Sequence, residues 1–135
     1  MKRQVPVNMI VPEHIRRQLE EHAAAEAPNE ACGLIAFRDG VAERYLPGRN
    51  TVASPYRFQL EPSDPMDFFL EDEGYELAVF HSHPTDSAQP SRTDLENVGL
   101  WAGRPYVILS RPTGELAAWR IENGRAEELP LEVRS

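Results

Sequence analysis

An apolar run, Leu77-Ala78-Val79-Phe80, leads without interruption into His81-Ser82-His83 and stops at Pro84. Gly74 and Pro84 bracket it so closely that a helix has no room, and the run reads as a buried central strand. A strand sends residues i and i+2 to the same face. His81 and His83 therefore project together from the strand's carboxyl end, while Ser82 points away. The chain must build a sheet that covers this run on both faces and leaves two imidazoles at its lip.

Ten residues on, Ser91 and Asp94 spell Ser-x-x-Asp, a helix-start signal resembling a capping box. Asp94 then sits in a first helical turn and can fold back towards the histidines. Two imidazoles and a carboxylate are three ligands, which leaves a fourth position for water. Catalytic zinc has that donor set, with bonds of about 2.0–2.2 Å, whereas structural zinc is closed by four protein ligands. Taken singly, the histidines are ordinary polar residues and Ser91 is an ordinary cap. Other zinc templates are missing: there is no His-Glu-x-x-His, and one cysteine excludes a zinc finger or a Pro-Cys-x-x-Cys deaminase. His14 and His22 have no ligand spacing.

Around this segment, Pro12 can open a helix to about Ala27, with Ile15, Leu19, His22 and Ala23 on one stripe, and Pro28-Asn29 ends it. Ala31 to Phe37 is a strand. The turn Arg38-Asp39-Gly40 returns Val41 to Leu46 antiparallel to it, and Pro47-Gly48-Arg49-Asn50 is expected to break the pattern. Tyr56 to Leu60 alternates as a half-buried strand. Ser63-Asp64-Pro65 starts a helix with Met66, Phe69 and Leu70 inward and an acidic, solvated face of Asp67, Glu71, Asp72 and Glu73. Ser91 opens a helix to about Trp101, with Leu95, Val98 and Trp101 or Ala102 inward. Tyr106 to Leu109, Leu116 to Ile121 and Glu128 to Val133 finish as strands. The expectation is a mixed α/β (α+β) domain with about three helices beside a mostly antiparallel sheet.

A length of 135 residues fits a single domain, 1–135. No apolar run approaches the roughly 20 residues that span a bilayer, and residues 1–6 lack the apolar stretch of a secretory leader. Net charge is −8, from 22 acidic and 14 basic residues, and the bases are scattered, so neither nucleic acid nor a membrane is an expected partner. The single cysteine, Cys32, fits a reducing cytoplasm and reads as a small buried hydrophobe rather than a nucleophile.

One further carboxylate stands out by position. Glu30 lies between Pro28-Asn29 and the first apolar strand, at the mouth of the sheet rather than on a helix face, either as a solvated loop residue or as part of the site. With Glu30 included, the pattern Glu…His81-x-His83-x7-Ser91-x2-Asp94 resembles the JAMM motif of the MPN-plus metallopeptidases, over about residues 8 to 122. The resemblance implies an MPN-like, cytidine-deaminase-like fold of the small stand-alone prokaryotic type. It implies one catalytic zinc on His81, His83 and Asp94, Glu30 as general base, and Ser91 as donor to the oxyanion. It implies hydrolysis of amide bonds after the C-terminal Gly-Gly of ubiquitin-like or sulfur-carrier proteins, with Tyr56 to Leu60 as the expected edge for the tail. A non-catalytic MPN scaffold and a metallohydrolase of small peptides stay open beside it.

Overall fold

The computed structural model describes residues 9–135, the side chain of residue 100 excepted. The expectation about residues 1–6 lies outside them. The elements run β1 (Met9–Pro12), α1 (Glu13–Glu26), β2 (Cys32–Arg38), β3 (Val41–Asn50), β4 (Leu60–Pro62), β5 (Glu76–His83), α2 (Arg92–Glu96), β6 (Pro105–Ser110), β7 (Leu116–Glu122), β8 (Arg125–Leu129) and β9 (Leu131–Arg134), with 3-10 turns at Pro65–Glu73 and Gly99–Trp101. All the strands join one sheet ordered β8-β7-β6-β5-β2-β3-β1-β9, with β4 paired to β3. β1 lies parallel to β3 and β9, and β5 parallel to β6. The remaining pairings are antiparallel.

β8 and β9 stand at opposite ends of that order, yet only Pro130 separates them in sequence. The sheet therefore curls until its ends approach each other, and Met9 N–H donates to the Pro130 carbonyl there. α1 packs on one face, setting Ile15, Leu19 and Ala23 against Ile35, Phe37, Ala78, Phe80, Val107 and Leu109. The other face gathers Leu34, Leu77, Val79 and Tyr106 under Leu95, Val98 and Trp101. Each fully buried Leu, Ile or Phe contributes about 1.5–3 kcal/mol of transfer free energy, and β5 has such residues on both faces. Alternation along β5 then fixes the site's side: His81 and His83 follow Leu77 and Val79 towards α2, and Ser82 follows Ala78 and Phe80 towards α1. No helix among the described residues is long and apolar enough to cross a membrane.

Several expectations need correction. Pro47-Gly48 does not break β3, which continues to Asn50 and pairs with β4. Gly48 is instead a point of close approach, where a Cβ would run into Leu60 and the Glu61 carbonyl. Tyr56 to Leu60 is not a strand: Tyr56 is 68% exposed, and only Leu60–Pro62 pairs. Asn50 explains this, because its side chain bonds Arg57 O and Gln59 N, the groups a strand would use for its ladder. Residues 65–73 form a 3-10 turn, whose near-threefold period puts Asp67 and Leu70 on one stripe. Leu70 is buried as expected, but Met66 and Phe69 are exposed. The helix from Ser91 ends at Glu96, and Gly99, at φ +50°, opens the second 3-10 segment. Glu128 to Val133 divides at Pro130 into two strands, and β1 had no distinct sequence signal.

Candidate metal centre

Antiparallel pairing brings the start of β2 beside the end of β5, with Cys32 opposite His81. That register carries Glu30, two residues before Cys32, to the histidines although it lies 51 positions upstream of His81. The turn bearing Glu30 is fixed by its backbone. Glu30 N–H donates to Ser54 O and Ser82 N–H to Ala31 O. Ala31 N–H donates to Ser82 Oγ at 2.9 Å, and Asn50 Nδ2 donates to Glu30 O at 3.1 Å. Ser82, pointing away from the imidazoles as expected, thus clamps the strand that bears the carboxylate.

His81 Nε2, His83 Nε2 and Asp94 Oδ2 form a nearly equilateral triangle with sides of 3.1–3.2 Å. Ligands on a tetrahedral ion with bonds of about 2.0 Å would lie about 3.3 Å apart. His83 Nδ1 is 2.7 Å from Ser87 O. A carbonyl only accepts, so Nδ1 donates to it, and Nε2 is the nitrogen left to face the other two side chains, where its unprotonated lone pair is available to a cation. All three side chains are buried. Converging lone pairs in a dry site are satisfied by a cation, and these residues fit one divalent ion.

α2 supplies Asp94 through its cap. Asp94 N–H donates to Ser91 Oγ at 3.0 Å, and Ser91 N–H donates back to Asp94 Oδ2 at 2.9 Å. The atom that completes the capping box is thus also the atom aimed at the histidines. Ser91 Oγ accepts one hydrogen bond in this arrangement, which leaves its own hydroxyl proton to donate elsewhere.

Burial works against the Asp94 charge, but His81, His83 and the Ser91 N–H outweigh it and hold this carboxyl far below the ordinary range. Burial pulls His81 below its ordinary value despite Asp94. Burial also works against the charged form of His83, but its hydrogen bonds to Asp94 and Ser87 prevail and raise it. Glu30 goes the other way. Burial foremost, then the Asp94 charge, push its carboxyl up to about 8, with His83 opposing and Asp86 adding. Glu30 is 2% exposed, and its Oε1 has no hydrogen-bond partner among the described residues. A buried, unpaired carboxyl of raised basicity beside a metal-ligand triangle is suited to taking a proton.

Phe58 lies flat on His81, ring centroids 4.5 Å apart. A narrow cleft beside Asp94 is lined by Arg57, Phe58, Thr93, Asn97 and Tyr106. Burial pushes the Cys32 thiol up to about 12, Glu30 and Glu26 adding to it, so Cys32 is no nucleophile at neutral pH. His22 serves the fold, its Nδ1 2.6 Å from the Tyr45 hydroxyl, and His14 is exposed on α1. Sequence reasoning missed Asn50, Ser82 and Phe58; a buried asparagine in a Pro-Gly-Arg-Asn run looks like any turn residue.

The profile describing prokaryotic homologs of the JAB domain matches residues 12–122. The chain belongs to this prokaryotic JAB family. Among its relatives, the tail tip assembly protein K of Escherichia phage N15 is 43% identical over 82% of this chain, which spans 42% of that longer protein. The CysO-cysteine peptidase of Mycobacterium tuberculosis is 32% identical over 83% of this chain and 82% of its own length. A probable TtuB-protein conjugate cleaving protease of Thermus thermophilus is 38% identical over 87% and 78%. In structure, this JAB-family chain resembles a protein of Desulfitobacterium hafniense (TM-score 0.75, 28% identity, 94% of each chain). It also resembles a JAB1/MPN domain protein of Archaeoglobus fulgidus (TM-score 0.59, 18% identity, 95% and 98%). The mixed α/β fold expected from the motif is therefore the fold found.

Proposed function

We propose that residues 1–135 form one zinc peptidase domain that hydrolyses the amide bond after the C-terminal Gly-Gly of a ubiquitin-like or sulfur-carrier protein. The observation that carries this reading is the triangle of His81, His83 and Asp94 beside the buried Glu30 carboxyl. The mycobacterial and Thermus relatives, whose names describe cleavage of CysO-cysteine and TtuB conjugates, support the substrate class. The free, buried Cys32 suits a reducing cytoplasm, the compartment we assign.

His81, His83 and Asp94 would hold the zinc, which supplies Lewis acidity that polarises the scissile carbonyl and acidifies water. Glu30 accepts the proton as water attacks the carbonyl carbon and returns it to the leaving amine. The Ser91 hydroxyl donates to the oxyanion as the carbonyl becomes tetrahedral. The Gly-Gly tail would run past Arg57, Phe58, Thr93 and Asn97 beside Asp94, where only a chain without side chains comes close to the ligands.

The test is to incubate the zinc-loaded protein with a sulfur carrier bearing a C-terminal extension, using Glu30→Gln as control. Release of the extension by wild type alone supports the reading. Turnover of short peptides with the carrier left intact would replace the carrier by small peptides. A protein that binds zinc but cleaves neither would be an interaction module. The phage relative, whose name describes assembly of a tail tip, makes a tail-tip protein a second candidate substrate to test. Parallel incubation with tail-tip proteins separates the two.

A further inference from the structure

We propose that Ser110 and Trp119 are positioning residues for the metal centre, holding the carbonyl that aims His83; this rests on the zinc reading above. Residues 84–90, between β5 and α2, have no regular secondary structure. Pro84 and Pro90 bound it, and neither has an N–H to donate. Three consecutive carbonyls in it are nevertheless each met by a side chain from a different strand. Ser110 Oγ of β6 donates to Asp86 O at 2.8 Å. His83 Nδ1 of β5 donates to Ser87 O at 2.7 Å. Trp119 Nε1 of β7 donates to Ala88 O at 2.9 Å.

The outer two bonds fix the peptide units on either side of Ser87 and so set the direction of its carbonyl. That carbonyl holds a proton on Nδ1 and so reserves Nε2, which faces Asp94 and His81, for the metal. Ser110 is fully buried and lies opposite His83 in the parallel β5–β6 register, and Arg111 N–H ties back to His83 O. The Trp119 ring packs with the buried Ala88, Ile108 and Ala117, so its N–H is aimed by the core. Partners that orient a metal-binding imidazole typically govern metal affinity by about 10–100-fold.

The test uses Trp119→Phe, which keeps a ring in the cluster and removes the N–H, and Ser110→Ala. Zinc affinity is read by chelator competition and the urea midpoint with EDTA present. The His83 Nδ1–H is read by proton–nitrogen NMR in the zinc-loaded protein, where Nε2 is occupied by the metal. The expected result is zinc binding about 10-fold weaker in each variant that folds, with the His83 Nδ1–H exchanging faster with solvent than in wild type. Unchanged zinc affinity with only a lower urea midpoint would overturn the proposal, because the two residues would then merely stabilise the loop. If the wild-type protein itself fails to bind zinc, the functional reading falls, and this inference with it.

Discussion

Replacing Glu30 by glutamine should remove a loss of stability that the metal-free protein suffers as pH rises. In the folded state the carboxyl titrates at about 8, against an ordinary 4.5, with burial the largest cause and Asp94 the next. A carboxyl raised in this way keeps its proton across that window while the unfolded chain has already released it. The unfolded state therefore binds fewer protons, and stability falls as pH rises from about 4.5 to about 8. At about 1.4 kcal/mol per pH unit the loss approaches 4–5 kcal/mol, on the order of 10–20 °C in Tm for a domain of this size. Glutamine has no proton to lose. The side chain is almost fully buried, so solvent screening does little to reduce the effect. Urea unfolding with EDTA present, at steps from pH 5 to 9, should show wild type and Glu30→Gln diverging steadily, with the variant ahead at pH 8. Zinc should shrink the divergence, because a cation beside Asp94 favours the ionised Glu30. Parallel stability curves for the two metal-free proteins would refute the claim that this carboxyl is buried and unpaired.

Further expectations follow from the same geometry. Ser91→Ala should keep zinc, lose about 1 kcal/mol of helix-cap stability and slow turnover by about 10²–10³, as read by metal analysis beside kinetics. Asp94→Asn keeps an oxygen for the Ser91 N–H but loses the charge, so circular dichroism should show a native fold while zinc binding drops by at least 10-fold, roughly the loss expected for a perturbed metal site. Asn50→Asp retains the acceptor for Val52 and Gln59 but loses both donated bonds, to Glu30 O and Arg57 O. Its cost should be at least about 2 kcal/mol in urea unfolding. Cys32, buried and with its thiol raised to about 12, should resist thiol reagents at pH 8 until the protein unfolds.

How much of this was legible in the sequence depended on how local each cause was. His81 and His83 share a face because strands have period two, and Ser91 with Asp94 starts a helix through contacts three residues apart. Both were readable in place. Tyr56 to Leu60 had the alternation of a strand, but the Asn50 side chain takes Arg57 O and Gln59 N, so strand pairing begins only at Leu60. Met66 and Phe69 followed an α-helical stripe that a 3-10 turn does not keep. Ser82, Ser110 and Trp119 act on partners 24 to 51 residues away, and only the strand order brings them there. Glu30 lies between these cases: its place at the mouth of the sheet was visible, but its proximity to the histidines needed the β2–β5 register.

The Ser-x-x-Asp signal first admitted two readings, a helix cap and a ligand set, and the geometry joins them. Asp94 Oδ2 accepts the Ser91 N–H at 2.9 Å and stands 3.1 Å from both imidazole nitrogens. A free aspartate would have to surrender side-chain rotamers to bind a metal. Here the helix start has already frozen the carboxylate for reasons of backbone hydrogen bonding, so the ligand is oriented before any ion arrives. The same cap leaves the Ser91 hydroxyl proton free while holding its oxygen in place, which suits a donor to developing negative charge. Folding the first turn of α2 and building the site are thus one event, and this is why a helix of only five residues can carry both a ligand and an oxyanion donor.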